Sequence, residues 1–274
     1  MSTDPQDTPP RRTRHEALAS AKRWFSEPTH AVLYDSFQAR YLDMVRTLFL
    51  EVALHELGHP PRRVLDIGCG PGDALNHLAQ RLPEAELVGV DPEAEMVQRA
   101  RERVGGRARV VQTTLEDFAD EGRFDLILSY SNFRFWDAPA VALAKIAARL
   151  DPRGLAYIQD LHGDVDAALR AELLHTMDSP SLEEFMAAQL DSAHPLAEVR
   201  QFIEAARLSR WTLKVGGLAG HPQWSREAFS LIQYNDRISQ LIFQLPTSAL
   251  RSPRGSESVF HLFIRGEEAV DGAE

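Results

Sequence analysis

Two kinds of apolar spacing alternate along residues 60–160. Short, nearly continuous apolar runs, RVLDI, ELVGV, RVVQT, FDLILS and LAYIQD, are separated by stretches of helical spacing that begin near Asp73, Pro92 and Ala138. That rhythm predicts βαβ units and a parallel sheet covered on both faces. Ahead of it the chain reads as helical from Arg14 to Gly58. Leu42, Val45, Leu48, Phe49 and Val52 recur at helix spacing until Gly58 and two prolines stop the segment. After Asp160 the rhythm breaks, and residues 161–194 read as helices and turns with no strand among them. It resumes with a helix at about 195–207, a strand WTLKV, a helical stretch SREAFSLIQYNDRISQLIF and a last strand SVFHLFIRG.

The expected organisation follows: a disordered leader over 1–13, a helical lid over 14–58, one α/β domain over 59–266 with helical insertions at about 161–194 and 222–245, and a disordered tail over 267–274. With 274 residues, 44% of them hydrophobic, the chain can bury a sizeable core. A formal charge of −10 disfavours a surface built for a phosphate backbone, so nucleic acid is not an expected partner. The single cysteine, Cys69, permits neither an internal disulfide nor a cysteine metal cage. No run approaches membrane-spanning length, and the polar, Pro-rich opening lacks the apolar segment of a signal peptide. These features point to a cytoplasmic protein with no membrane partner.

The chemistry begins at VLDIGCGPGDALNHLAQ, residues 64–80, where a strand ending near Asp66 passes Gly68, Gly70 and Gly72 and enters a helix. Such a turn brings backbone N–H groups together with few side chains in the way. The third glycine arrives one residue too early for a dinucleotide fingerprint, and no Gly-Lys-Ser/Thr follows as in a P-loop. Asp91 ends the second strand, 21 residues after Gly70, where a carboxylate can accept hydrogen bonds from both ribose hydroxyls of a nucleoside. Asp91 can also cap the helix begun by Pro92, and both roles can hold at once.

These two stretches, VLDIGCGPG and LVGVDPEAEMVQRAR, resemble the first two motifs of class I S-adenosylmethionine-dependent methyltransferases. The resemblance covers about residues 60–160 and weakens to about 215 and in the last strand. It implies a doubly wound, seven-stranded, mostly parallel sheet with its last strand antiparallel. It implies S-adenosyl-L-methionine as cofactor, its methionine end held by Asp66, Gly68 and Gly70 and its ribose by Asp91, with Cys69, a small packing residue of the loop, and Pro92 in the same cofactor set. The family often places an acidic residue after the third strand to meet adenine. Here Thr114 stands there, which leaves its hydroxyl, the Leu115 backbone and Glu116 as alternatives. Ser129 and Tyr130 fall at the end of the fourth strand, below the methionine portion, and Tyr34 in the lid completes the expected cofactor set.

The acceptor, a small molecule, is then expected at the fourth and fifth strand ends and at the inserted segments. Tyr130, Phe133, Phe135 and Trp136 follow the fourth strand, His162 follows the fifth, and His30 and Tyr34 stand in the lid. Phe133 and Phe135 also suit a core, and Asp137 a helix cap. His162 is the candidate general base, with Tyr130 as a second catalytic candidate. Asp160 and Asp164 are the only close carboxylates there, so no metal is expected. The insertion between the last two strands suits either a pocket cover or a homodimer surface. Two other readings stay open: a fold relative that uses the cofactor for a non-methylating reaction, and a non-catalytic binding or scaffold protein.

Overall fold

The computed structural model describes residues 11–25, 33, 43–119, 122–177, 179–216 and 255–267. The leader before Arg11, the expected cofactor residue Tyr34 with its neighbour His30, the insertion expected at 222–245 and the tail after Glu267 lie outside these residues.

The strands are β1 (Arg63–Ile67), β2 (Glu86–Asp91), β3 (Arg109–Gln112), β4 (Phe124–Tyr130), β5 (Leu150–Leu161), β6 (Trp211–Val215) and β7 (Val259–Arg265). They form one seven-stranded sheet in the order β3-β2-β1-β4-β5-β7-β6. From β3 through β5 all neighbours are parallel, with Asp66 opposite both Gly89 of β2 and Leu128 of β4. β7 runs antiparallel between β5 and β6. Gly266 N donates to Gly154 O on one side, and Arg265 N to Arg210 O and Gly216 N to Val259 O on the other. The expected sheet, with its reversed last strand, is therefore present. Its strand order turns back between β1 and β4, and open α/β sheets bind ligands outside the carboxyl ends of the strands at such a reversal.

The helices are α1 (Arg14–Phe25), α2 (Asp43–Leu57), α3 (Asp73–Arg81), α4 (Ala94–Val104), α5 (Pro139–Arg149), α6 (Ala167–His175), α7 (Pro180–Ser192) and α8 (Leu196–Ala205). Asp137 does not cap α5. Ala138 takes that position without a side-chain hydrogen bond, and Pro139, as the first helical residue, brings a preset φ and one fewer unsatisfied N–H.

The described chain divides into two compact units. One comprises Arg46–Gln159, Arg200–Lys214 and His261 onward. Its core is the inner sheet: Val64, Leu65, Leu126, Ile127, Leu155 and Ala156 are fully enclosed. The other contains α1 and the segment Asp160–Val199. There Val165, Leu169, Leu174, Ala187 and Leu190 form one apolar cluster, and Trp24 packs with Leu182 and Phe185 in another. Arg11 donates to Val165 O and Arg12 N to Asp191 Oδ2, which fixes both residues.

Candidate active site

The glycine turn after β1 is built from its own backbone. Gly68 N and Cys69 N both donate to Val90 O, at 2.8 and 3.1 Å, and Gly72 N donates to Cys69 O at 3.0 Å. Gly70 N donates to Asp91 Oδ2 at 2.9 Å. The expectation that these N–H groups gather to meet a ligand is therefore corrected: all four are spent inside the protein. What the glycines supply is shape. Gly68, with φ +68°, lies so close to the Asn132 carboxamide that a Cβ would fall 2.1 Å from its nitrogen. Gly72, with φ +84°, lets the turn settle on α4, where a Cβ would fall 2.9 Å from the Ala100 Cα. Around Gly70 nothing comes within 4 Å of an added Cβ, so the outer surface of the turn is bare.

Two carboxylates flank this surface. Asp91 braces it, accepting from Gly70 N through Oδ2 and from Glu93 N through Oδ1, both at 2.9 Å. A carboxylate has about four lone-pair sites, so each oxygen retains room for a further donor. Burial pushes the Asp91 carboxyl up, against these two N–H bonds that draw it down. Asp66 is more extreme: burial first, then the nearby Asp91 charge, push it up to about 7, while Arg46 pulls the other way. Its Oδ2 is buried without a hydrogen-bond partner, as is the Ser129 hydroxyl on the neighbouring strand. Buried polar atoms of this kind call for a partner, and these two stand at the ends of the strands where the order reverses. Cys69 is buried and its thiol is pushed upward chiefly by that burial, which makes it a packing residue and not a nucleophile.

On the β3 side, the Thr114 hydroxyl accepts from Asp117 N and donates to Asp117 Oδ2, both at 3.2 Å, closing a local turn. Leu115 is buried, and Glu116 uses its carbonyl to accept from Lys145 Nζ. Pro92 lies beside them through Gln112 Nε2, which donates to its carbonyl at 3.3 Å. Beyond β4, Tyr130 is half-buried with its ring 5.1 Å from Phe49 of α2, and Phe49 stacks on Tyr157 at 4.3 Å. Phe133 is core, packed against Trp136 and Phe202, as its apolar setting suggests.

His162 does not fit a general base. Its Nδ1 accepts from Asp164 N at 3.2 Å, so the neutral ring carries its proton on Nε2 and donates it to Glu257 O at 2.6 Å. Both nitrogens are engaged and the ring is buried. The strand-end position was legible, but the partner 95 residues away was not.

Two residues escape the sequence reading. Asn132 follows Ser131, a non-glycine residue held at φ +58°, and lays its carboxamide along the turn with Nδ2 3.4 Å from Ile67 O. Backbone strain of this kind gathers at functional sites. Arg46 is buried on α2 at the head of an otherwise apolar stripe of Phe49, Leu50 and Ala53. An arginine at the first position of a 46, 49, 50, 53 core stripe was the available signal. Among the described residues no three His, Cys, Asp or Glu side chains could hold a metal ion. No described helix is long and apolar enough to cross a membrane.

Residues 64–154 match the family model of the methyltransferase domain. Over 126 residues the chain is 29% identical to trans-aconitate 2-methyltransferase of Rhodopseudomonas palustris, covering 46% of this chain and 47% of that one. Over 131 residues it is 32% identical to malonyl-[acyl-carrier protein] O-methyltransferase of Anoxybacillus flavithermus, covering 47% and 48%. The chain thus spans about half the length of the curated relatives it matches. Among solved structures, the plantazolicin methyltransferase BamL, in complex with a triazolic desmethyl analogue and S-adenosylhomocysteine, superposes with a TM-score of 0.74 at 22% identity. That match covers 93% of this chain and 98% of BamL. BpumL, the plantazolicin methyltransferase in complex with S-adenosylhomocysteine, gives 0.73 at 24% identity over 91% and 95%. At these identities the structures establish a shared fold.

Proposed function

We propose that this chain, whose residues 64–154 match the methyltransferase-domain family model, is a class I methyltransferase that transfers a methyl group from S-adenosylmethionine to a small-molecule acceptor. One observation carries the reading. At the point where the strand order reverses, a bare glycine turn braced by Asp91 stands beside the buried, unpartnered Oδ2 of Asp66. An ammonium group satisfies that oxygen, and a ribose satisfies the remaining acceptor capacity of Asp91. The residues present therefore fit the cofactor.

When bound, the cofactor supplies an already activated methyl group, so the chain's own work is alignment and exclusion of water. Asp66 holds the amino-acid end, and Asp91 fixes the nucleoside while keeping the turn in shape. Thr114, Leu115 and Glu116 border the adenine side, and Tyr130, backed by Phe49, forms an aromatic wall toward the acceptor. No side chain among them is poised as a base, which suits an acceptor that arrives as an adequate nucleophile. The curated relatives act on trans-aconitate and on malonyl-[acyl-carrier protein], and the structural neighbours are named for plantazolicin. That spread supports a small-molecule acceptor without selecting one. The single, buried cysteine agrees with a reducing, cytoplasmic setting.

Calorimetric titration with S-adenosylhomocysteine and, separately, with NAD tests the reading: the first should bind and the second should not. Asp91→Ala should weaken S-adenosylhomocysteine binding by about 1–3 kcal/mol through loss of charge-assisted contacts. Transfer of labelled methyl to a panel of small acids, amines and phenols then tests catalysis. Binding without transfer to any acceptor would favour a non-methylating use of the cofactor, and no binding would leave a scaffold.

A further inference from the structure

We propose that Gln159 binds the methyl acceptor by donating from its carboxamide nitrogen to a carbonyl or carboxylate oxygen, and that Tyr157 and His261 are positioning residues that fix the carboxamide's orientation. This rests on the methyltransferase reading above and narrows its acceptor to molecules that carry such an oxygen.

The sheet register places Gln159. Asp66, Leu128 and Tyr157 form one row across β1, β4 and β5, and Tyr130 and Gln159 form the row two residues nearer the carboxyl ends. Register partners in a parallel pair share a face, so Gln159 stands on the same side of the sheet as Asp66. β5 lies two strands from β1, about 10 Å across the sheet. A cofactor held by Asp66 and Asp91, at the ends of β1 and β2, therefore leaves the end of β5 to the acceptor. The backbone there is fixed, since Ser131 N donates to Gln159 O at 2.8 Å.

The side chain is fixed as well. Tyr157 is fully buried, its ring stacked on Phe49 at 4.3 Å and on Phe263 at 4.5 Å, which sets the position of its hydroxyl. That hydroxyl donates to Gln159 Oε1 at 3.3 Å and lies 2.7 Å from His261 Nδ1. A phenol carries one proton, so the proton of the second contact belongs to His261 Nδ1. The chain then runs from His261 Nδ1–H through Tyr157 O–H to Gln159 Oε1, and the two N–H donors of the carboxamide are left at its other end. Gln159 is only 9% exposed, and among the described residues no acceptor meets its Nε2. A polar group so nearly enclosed calls for a partner. An amide nitrogen can only donate, which suits a carbonyl or carboxylate oxygen and rejects an ammonium group. Because the carboxamide is oriented beforehand, binding costs little side-chain entropy.

The experiment is nuclear magnetic resonance on the full, isotopically labelled chain saturated with S-adenosylhomocysteine. It follows the side-chain N–H pair of Gln159, identified by its loss in Gln159→Met. Acetate and acetamide, a charged and a neutral source of the same oxygen, should each shift that signal to saturation, acetate binding more tightly. Methylammonium should not shift it. The exposed Gln98, which donates to Glu102, is the internal reference for unspecific effects. A response to acetate alone would support the proposal in its carboxylate form. Tyr157→Phe, with an unchanged circular dichroism spectrum, should weaken acetate binding roughly 2- to 10-fold, because the carboxamide loses its anchor while its nitrogen remains. The nitrogen spectrum of the His261 ring in wild type, which needs no variant, should show a protonated Nδ1. A bare Nδ1, a stronger response to methylammonium, or silence toward both acetate and acetamide would overturn the proposal and leave the three residues a structural chain. Unchanged acetate affinity in folded Tyr157→Phe would overturn the positioning role. Each of these leaves the cofactor reading standing, whereas failure of wild type to bind S-adenosylhomocysteine in calorimetry would overturn both.

Discussion

The glycine turn and the helical segment after β5 are held in place by opposite means. The turn is closed by contacts local to the β1 and β2 ends: four backbone N–H groups, two carbonyls and one carboxylate. The helical segment is tied by side chains far apart in sequence. Arg170 donates to both oxygens of Asp191, at 2.7 and 3.2 Å, in a pair almost wholly removed from solvent. Arg12 N reaches the same carboxylate, Arg14 Nε donates to Ser192 O, and Arg14 Nη2 donates to His194 Nε2 at 2.8 Å. For that last bond the His194 ring must be neutral, and burial, its largest influence, does lower its proton affinity. A self-contained turn can serve any chain that needs the same ligand surface. The helical segment instead depends on partners that only the folded chain brings together, such as Arg170 and Asp191.

The largest effect should come from breaking the distant pair. Asp191→Leu leaves Arg170 buried without its carboxylate and should cost about 3–5 kcal/mol, read as a lowered urea midpoint. The double variant Arg170→Met, Asp191→Leu should recover most of this, since an apolar pair of similar volume avoids the uncompensated charge. A cost below about 1 kcal/mol for Asp191→Leu would assign the segment's stability to its apolar clusters and weaken the contrast.

The turn should break by sterics instead. Gly72→Ala places a methyl 2.9 Å from the Ala100 Cα, which is backbone and cannot swing aside, in a left-handed conformation of φ +84°. About 2–3 kcal/mol should be lost. Gly70→Ala, with open space around it, should lose only the conformational cost of about 1 kcal/mol. Equal losses in denaturant titration would mean that backbone conformation alone, and not the fit against α4, demands the glycines.

The same contrast explains what could be read from the sequence. Each strand from RVLDI to SVFHLFIRG falls where its apolar run predicts, because strand and helix periods are local properties. β5 is longer than LAYIQD, extending back through Pro152 to Leu150, where irregular pairing with β4 tolerates the proline. The turn at Gly68 and Gly70 and the strand-end carboxylates Asp66 and Asp91, proposed to meet the cofactor, were legible for the same reason: such features are encoded within one βαβ unit. Arg46, Asn132 and the partners of His162 were not, since each depends on which distant residue the fold brings alongside. The glycine N–H groups misled in a subtler way, because sequence shows that donors converge but not that Val90 O and Asp91 already receive them.

Asp66 sharpens the comparison through pH. Its carboxyl is raised to about 7 from an ordinary value of 3.8, so the folded, ligand-free protein takes up a proton that the unfolded chain does not. That stabilises the fold fully below the unfolded value, and the contribution is lost as pH rises through about 7. Thermal stability of the free protein should carry this downward slope, and Asp66→Asn should flatten it. Affinity should move the other way: below neutrality, S-adenosylhomocysteine binding should strengthen by up to about tenfold for each unit that pH rises toward 7, because only the ionised carboxylate accepts the ammonium without releasing a proton. A flat affinity profile between the acidic and neutral range would separate Asp66 from the ammonium.

The smallest effect is expected at His162, the residue whose position most invites a catalytic role. It follows β5 at the sheet edge where the acceptor is expected, yet Asp164 N and Glu257 O take its two ring nitrogens, and only 4% of it is exposed. To act as a base, the ring would have to give up the Asp164 bond, turn out of its enclosure and break its bond to the Glu257 carbonyl. Glutamine can donate to one of these partners and accept from the other, without titrating. His162→Gln should therefore hold turnover within about threefold of wild type and leave its pH profile in place, with a stability loss of about 1 kcal/mol for imperfect geometry. A general base removed outright would instead cost roughly 10²-fold or more and erase an ionisation near neutrality. Measuring the pH–rate profile of His162→Gln alongside its denaturation midpoint distinguishes the two. A stability loss with turnover intact places His162 among the long-range ties of the helical segment, whereas the reverse would move it across the comparison and into the chemistry.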